Sequence, residues 1–403
     1  MKRILYHIGY CALYVPLCFG TTVSCEPGYD WVFSGRKLLT RSADQLRSTA
    51  ITPHLRAPIR KGQNVVWSNT FQLAWNECCR LIGEDIRLAD EPEMVAILNL
   101  KGSTRKDLDE ESYIAMAGFV RDDIHGQIRA ALKKKFQGRT RPRYIPSRGI
   151  TPRPQDIVAY ADLFKNLEFA TPFEDVEAPL VFDGTPVECF GKTMDKKAPL
   201  PLLKQVVILH YRDRADFVIE LKTKSEKDRV ILAKVSPAGT LRETLAAVER
   251  RVAVADEERE TALAAIEKQT LRRKEQRERL GEYEELNRCM GPNDILMVPK
   301  FNFDLTRRFR EVCDRPLLVR NPAIAKDLLI LSALQNIRFQ MDEKGVRLRS
   351  EAHMSLGCGG PAPPEHIMIF DRPFLLVLKR VGAKAPYFAM WVDNPELLLK
   401  DDH

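Results

Sequence analysis

No catalytic signature runs through this chain. It holds no G-x-S-x-G, H-E-x-x-H, P-loop or G-x-G-x-x-G sequence, so the nucleophile elbow, the zincin helix and the phosphate-cradling loops are all missing. Nine cysteines are present but no C-x-x-C pair, which removes the spacing of zinc sites and of thioredoxin-like redox motifs. The seven histidines are scattered and select no triad. Self-similarity at a period of about 20–50 residues, the mark of solenoids and propellers, is also absent. Glycine (21) and proline (25) sit at ordinary levels, which excludes collagen-like and proline-rich classes. Long apolar runs are scarce. With 44% hydrophobic and 29% charged residues and a mean hydropathy of -0.28, neither whole-chain disorder nor a polytopic membrane protein fits. The net charge of +8, from 63 Lys+Arg and 55 Asp+Glu, is a mild excess for 403 residues. It reads as a solvated mixed surface, and no nucleic-acid partner is expected.

What is present starts at the N-terminus. Lys2 and Arg3 precede a run over residues 4–20 without Lys, Arg, Asp or Glu, followed by the small residues Thr21, Thr22, Val23 and Ser24. That order predicts a secretory signal over residues 1–25 and a secreted or extracytoplasmic protein. Pro16 lies inside the run, which is marginal in length for a bilayer span. A retained membrane anchor and a lipid on Cys25 stay as alternatives. Cys11 and Cys18 fall within the signal. Cys25, Cys78, Cys79, Cys189, Cys289, Cys313 and Cys358 form an odd remainder. At least one thiol is therefore free or externally paired, and a chain of this length needs no disulfide staples.

Residues 26–60 are basic and interrupted by Pro27, Gly28, Pro53 and Pro58, so a loosely ordered leader is expected. Residues 64–83 begin apolar at Val65, Val66 and Trp67 and turn helical through Leu73, Trp75 and Cys79. Residues 111–135 carry helical spacing at Tyr113, Met116, Val120, Ile124, Ile128 and Leu132, with Gly126 as a breaking point. Residues 139–154 read as loop on Pro142, Pro146, Gly149, Pro152 and Pro154. Strand-like runs dominate afterwards, at 206–211, 217–221, 230–235, 295–298, 337–341, 367–378 and 387–392. Residues 241–288 differ, being dense in both charge signs with Leu241, Leu245, Val248, Val252, Leu263, Ile266, Leu280 and Leu286 near helical spacing. One or two long exposed helices are predicted there, with a partner-binding coiled coil as the alternative.

The last third carries the sharpest pattern. A strand-like run over 334–341 leads into Asp342-Glu343-Lys344-Gly345, and a segment without helical period follows. Then come Phe370-Asp371-Arg372-Pro373-Phe374-Leu375-Leu376-Val377-Leu378 and, near the end, Val392-Asp393-Asn394-Pro395. These residues resemble the serpin family. The run from Phe370 is similar to its C-terminal signature, and the run from Val392 to its closing Val-x-Asn-Pro. Asp342 to Gly345 resembles the entry to its reactive-centre loop, and the distance on to Phe370 is similar to the family's loop span. Upstream, Asn64-Val65-Val66-Trp67-Ser68 resembles the family's early Asn-x-x-aromatic-Ser element. Residues 119–128 resemble the end of the helix that crosses its main sheet. Residues 157–165 with Thr171-Pro172-Phe173-Glu174 resemble a central-sheet strand and its Pro-Phe turn, a pattern that residues 182–194 continue. Val298-Pro299-Lys300-Phe301 with residues 305–312 resembles its Pro-Lys-Phe strand and following helix. The resemblance covers roughly residues 64–83, 111–240 and 290–397.

It implies an α+β serpin-like fold over residues 61–398, with large mixed β-sheets flanked by helices and the charged helical stretch inserted at 241–288. It also implies an inhibitor of serine or cysteine endopeptidases, not an enzyme, that acts through an exposed loop over residues 346–365. In that mechanism the cleaved loop enters the main sheet as a new strand. The residues themselves bear on this. Val346, Leu348, Ser350, Ala352, Met354, Leu356 and Cys358 are apolar or small; the alternate positions Arg347, Arg349, Glu351, His353, Ser355 and Gly357 are polar, charged or Gly. Such period-two alternation suits a half-buried strand.

Departures point the other way. The hinge, taken as Gly345, Val346, Arg347, Leu348, Arg349 and Ser350, has bulky residues where inhibitory serpins carry small ones. Overpacking a tight core costs about 1–3 kcal/mol. Gln335, Tyr160 and Phe169 stand where the family usually has His, Asn and Trp. The reactive-centre bond is Gly359–Gly360 counted from the hinge, or Gly360–Pro361 counted back from Pro363-Pro364. Either places Gly before it, with no side chain for a specificity pocket. The alternative function is thus a non-inhibitory binding or structural protein on the same fold. A candidate polyanion site is Lys133, Lys134, Lys135, Arg139, Arg141, Arg143 and Arg148. No cofactor or metal is implied, and a monomer is expected. The partners that fit are a protease, a polyanion at the basic cluster, and a protein at residues 241–288.

Overall fold

The computed structural model describes residues 38–136, 153–194, 198–268, 288–325, 328–345 and 364–401. All of them fall in the compact unit that runs from Phe33 to His403. The signal expected at 1–25 lies outside the described residues. In chain order the strands are β1 (Leu39–Ser42), β2 (Thr49–Thr52), β3 (Asn64–Ser68), β4 (Tyr113–Phe119), β5 (Ile157–Leu163), β6 (Glu174–Phe182), β7 (Thr185–Lys192) and β8 (Val206–Asp213). They continue as β9 (Asp216–Leu221), β10 (Asp228–Lys234), β11 (Ile295–Pro299), β12 (Phe301–Arg308), β13 (Leu334–Met341), β14 (Ile367–Ile369), β15 (Phe374–Arg380) and β16 (Phe388–Val392). The helices are α1 (Thr70–Ile82), α2 (Glu93–Asn99), α3 (Ile124–Phe136), α4 (Leu200–Lys204) and α5 (Leu241–Lys268). The α+β architecture of large sheets flanked by helices is thus as expected. Among the described residues no helix is long and apolar enough to cross a membrane.

A seven-stranded sheet in the order β2-β3-β16-β15-β10-β9-β8 forms the centre. Its strands read as near-continuous apolar runs because both faces are covered. In β15, Phe374, Leu376 and Leu378 join one core cluster, while Leu375 and Val377 join another on the opposite face. α5 supplies that second layer with Leu241, Leu245, Val248 and Val252. The first half of the charged stretch is therefore docked, not an exposed helix as expected. Its ion pairs hold it down: Arg251 to Asp216, and Lys379 of β15 to Glu249. Residues 269–287 lie outside the described residues.

Three smaller sheets complete the fold. They are β14-β11-β7-β6, β1-β12-β13 and β4-β5. Three sequence expectations are corrected. Of the loose leader expected over residues 26–60, 26–37 lie outside the described residues and 38–60 are built into the sheets: β1 pairs in parallel with β12, and β2 in parallel with β3. The helix expected over 111–135 is a strand, β4, followed by α3. The helix expected over 305–312 is the end of β12 followed by one 3-10 turn, Arg310–Val312.

The two most distant resembling motifs meet in space. The Asn64 side chain donates from Nδ2 to Asn394 Oδ1 at 2.9 Å and accepts from the backbone N–H of Asp393 at 2.7 Å. Asn394 Nδ2 donates in turn to the carbonyls of Ser48 and Gly62. Asn64 and Asn394 are buried, and a buried amide left without such partners costs about 1–3 kcal/mol.

Candidate functional site

The site is the base of the segment 346–363. β13 is antiparallel to β12 in unbroken register, from Phe301 opposite Met341 to Arg308 opposite Leu334. Its alternation puts Ile337, Phe339 and Met341 into the core. Gln335, on the same face, donates from Nε2 to Ser68 O and Thr70 Oγ1, both at 3.0 Å. The residue that stands in for the family's His thus ties β13 to the junction of β3 and α1. Tyr160 instead packs with the α3 cluster, its hydroxyl on Asp162 at 3.2 Å.

Past Met341 the chain makes a closed turn. Asp342 N–H donates to Gly345 O at 3.0 Å, and Gly345 N–H returns to Asp342 O at 3.2 Å. The Asp342 carboxylate accepts from Lys344 N–H (3.0 Å) and Gln340 Nε2 (2.9 Å). Gly345 has φ +115°, and a Cβ there would sit 2.6 Å from both Leu167 O and Phe169 N. Only glycine fits such a backbone against such neighbours. Residues 167–173 press on this turn: Phe169 N–H donates to Lys344 O (3.1 Å) and Phe173 N–H to Glu343 O (2.6 Å). Phe169, where the family usually has Trp, stacks edge-on to Phe173 with centroids 4.9 Å apart.

A buried ion cluster sits beside the turn. Lys300 is 0% exposed, and its Nζ lies 3.1 Å from Glu343, 2.5 Å from Asp175 and 3.8 Å from Glu188. Glu343 is itself buried. A desolvated ammonium of this kind is tolerated only while its carboxylates surround it. Lys300 is the centre lysine of the Pro-Lys-Phe motif. A charge at Lys300, between Val298 and Phe301 at the junction of β11 and β12, was the available signal for this cluster. The pairing with Glu343 was not legible.

The loop's far end is anchored separately. β14 pairs in parallel with β11. His366 Nδ1 lies 2.8 Å from Asp294 Oδ2, and the His366 N–H donates to Asp294 Oδ1 at 2.8 Å. The hydrogen bond to Asp294 raises the imidazole pKa against the opposing effect of burial. Burial alone would raise Asp294, but hydrogen bonds from the His366 ring and from the backbone of Gly291 and His366 outweigh it and hold the carboxyl low. The Tyr211 ring stands edge-on to His366 at 4.7 Å, and its hydroxyl accepts from Ile367 N–H.

The sheets that contain β13 and β5 meet at the loop base. Among the described residues β13 pairs with β12 alone and β5 with β4 alone. An isolated bridge, Glu168 to Gly345, joins their ends at the loop base. α1 touches β4, β5 and β13, so the seam between the two sheets runs over this helix.

Of the expected hinge, Gly345 is placed; Val346, Arg347, Leu348, Arg349 and Ser350 lie outside the described residues, as do Gly359, Gly360 and Pro361. In the basic cluster Lys133 and Lys134 are exposed at the C-terminal end of α3. Lys135 is instead structural, donating to Glu110 O (2.6 Å) and Tyr113 O (2.9 Å). Arg139, Arg141, Arg143 and Arg148 lie outside the described residues.

No family model matches the chain, and no curated protein matches it. Solved structures do. Human glycosylated kallistatin has 14% identity and a TM-score of 0.43 over 83% of this chain and 92% of its own. A thyroxine-binding globulin complex with thyroxine has 13% identity and a TM-score of 0.40 over 82% and 93%. Human thyroxine-binding globulin in a second complex has 12% identity and a TM-score of 0.41 over 83% and 92%.

Proposed function

We propose that this chain is a secreted serpin-like protein without catalysis of its own. It presents residues 346–365 to a serine or cysteine endopeptidase and traps it. The protease nucleophile attacks the carbonyl before the scissile bond, the amine leaves, and an acyl-enzyme remains. The freed segment then enters the seam between β13 and β5 before water can reach the ester or thioester. The observation that supports this reading is the closed turn Asp342–Gly345 at the end of β13, bridged to Glu168 just past β5, from which the segment departs. The period-two alternation of residues 346–358 supplies a strand able to fill the seam.

The test is a mixture of the purified protein with trypsin, elastase and papain, resolved under denaturing conditions. A covalent band at the summed mass is expected with at least one enzyme. Cleavage within 346–363 with no such band in any mixture overturns the trap. The second reading, a non-inhibitory binding protein on the same scaffold, is favoured by Leu348 and by the Gly before either candidate bond. It predicts that outcome. N-terminal sequencing of the mature protein tests the secretory signal: a start near residue 26 is expected, and an intact Met1 contradicts it.

A further inference from the structure

A cleft of about 380 Å³ opens at the end of β12 away from the loop base. It is lined by the end of β2, the segment that follows it, Glu93 and Met94 at the start of α2, and Arg307 and Glu311. That volume is in the range of small-molecule sites, about 300–1,000 Å³.

The wall is held in place from behind. Leu55 O accepts from Arg242 N–H (2.7 Å) and Ala57 O from Leu241 N–H (3.0 Å), while Ile59 N–H donates to Gly239 O (3.0 Å). Trp67 Nε1 donates to Pro53 O at 3.3 Å. A cleft shaped before its ligand arrives loses less ordering entropy on binding.

Its polar groups divide into two sets. Arg307 is engaged: its guanidinium bonds Ile51 O and Glu311 and lies 4.7 Å from the Phe309 ring centroid. Arg56 and Arg60 are exposed, and neither has an ion pair or a side-chain hydrogen bond among the described residues. His54 Nδ1 is buried and has no hydrogen-bond partner. Burial holds the His54 imidazole below its ordinary pKa, against a hydrogen bond to its own backbone and the nearby Glu93 carboxylate. Ile51, Pro53, Ala57, Pro58 and Met94 add apolar surface.

We propose that this cleft binds a small organic anion with an apolar body. The acidic group lies between Arg56 and Arg60, and the body packs on Pro53, Pro58 and Met94. Aromaticity of the body is not required; one charge and one apolar end are. The site lies at the end of β12 away from Gly345.

The probe is 8-anilinonaphthalene-1-sulfonate, titrated into the full chain by fluorescence beside its uncharged counterpart N-phenyl-1-naphthylamine. Saturable binding at one equivalent is expected. The double variant Arg56→Gln/Arg60→Gln is expected to bind the sulfonate at least tenfold more weakly and the uncharged probe as before, with its melting midpoint unchanged. The single variants, read alongside, each weaken the sulfonate alone. Lys133→Ala/Lys134→Ala, which removes two exposed cations elsewhere, is expected to keep wild-type affinity. Wild-type sulfonate affinity in the Arg56/Arg60 variants, or an equal loss in the Lys133/Lys134 variant, overturns the proposal.

Discussion

At the scale of single residues the loop base rests on Gly345 and Lys300. Gly345 combines a positive φ with backbone atoms 2.6 Å from where a Cβ would stand. Gly345→Ala is expected to lower stability by about 1–3 kcal/mol, the range for a non-glycine residue forced into such a region. Urea unfolding checks it; an unchanged midpoint means that residues 167–169 yield freely. Lys300 meets Glu343 where neither reaches water. Lys300→Ala strands that carboxylate and is expected to cost about 3–5 kcal/mol, whereas Lys300→Met/Glu343→Gln together should restore most of the loss. The same cycle by urea denaturation gives the coupling; strict additivity would show that the pair is not a unit. Asp175, 54% exposed beside Lys300, is screened, and its removal should cost at most about 1 kcal/mol.

At the scale of elements, β14 carries a pH signature. His366 is raised, so its contribution is fully present below the ordinary imidazole value of 6.5 and is lost as pH rises through the folded value. Asp294 is lowered, so its contribution is present above the ordinary value of 3.8 and is lost as pH falls through the folded value. The pair therefore stabilises the anchor most between those two limits. The melting-midpoint deficit of His366→Gln should be largest near pH 5 and shrink towards pH 9; a deficit flat across that range removes the ion pair from the account.

The elements also show what was legible. β15 and β16 were readable because their apolar runs are bounded and β-rich, and β13 because its apolar residues are spaced as a strand's are. β4 was not. Its Ile114 and Met116 pack with the α3 cluster while Ala115 packs with the central core, so both faces are apolar and no alternation appears. Tyr113, Met116, Val120 and Ile124 then mimic helical spacing by coincidence. α5 was legible as a helix. Its docking was not, since Leu241, Leu245, Val248 and Val252 form a stripe that charge obscures on both sides.

At the scale of the molecule, the Asn64 and Asn394 motifs proved to be partners, and the strand-like run expected over 334–341 is β13. The seam between β13 and β5 was invisible in the sequence, because pairing between distant strands depends on register and on what α1 holds beneath them. The basic leader was misread because parallel pairing to β12 and β3 needs only short β-runs, which composition hides. The ion cluster at Lys300 escaped notice for a related reason: Asp175, Glu188 and Glu343 come from three separate segments.

The most direct measurement is the thermal midpoint of the intact protein and of the protein nicked once within residues 350–360. If the cleaved segment enters the seam, it adds a full strand of backbone hydrogen bonds and buries its even-numbered side chains. The midpoint should then rise by about 10 °C or more, several kcal/mol at the roughly 2 °C or less that about 1 kcal/mol moves a chain of this size. An unchanged midpoint after complete cleavage would contradict insertion, and with it the trap.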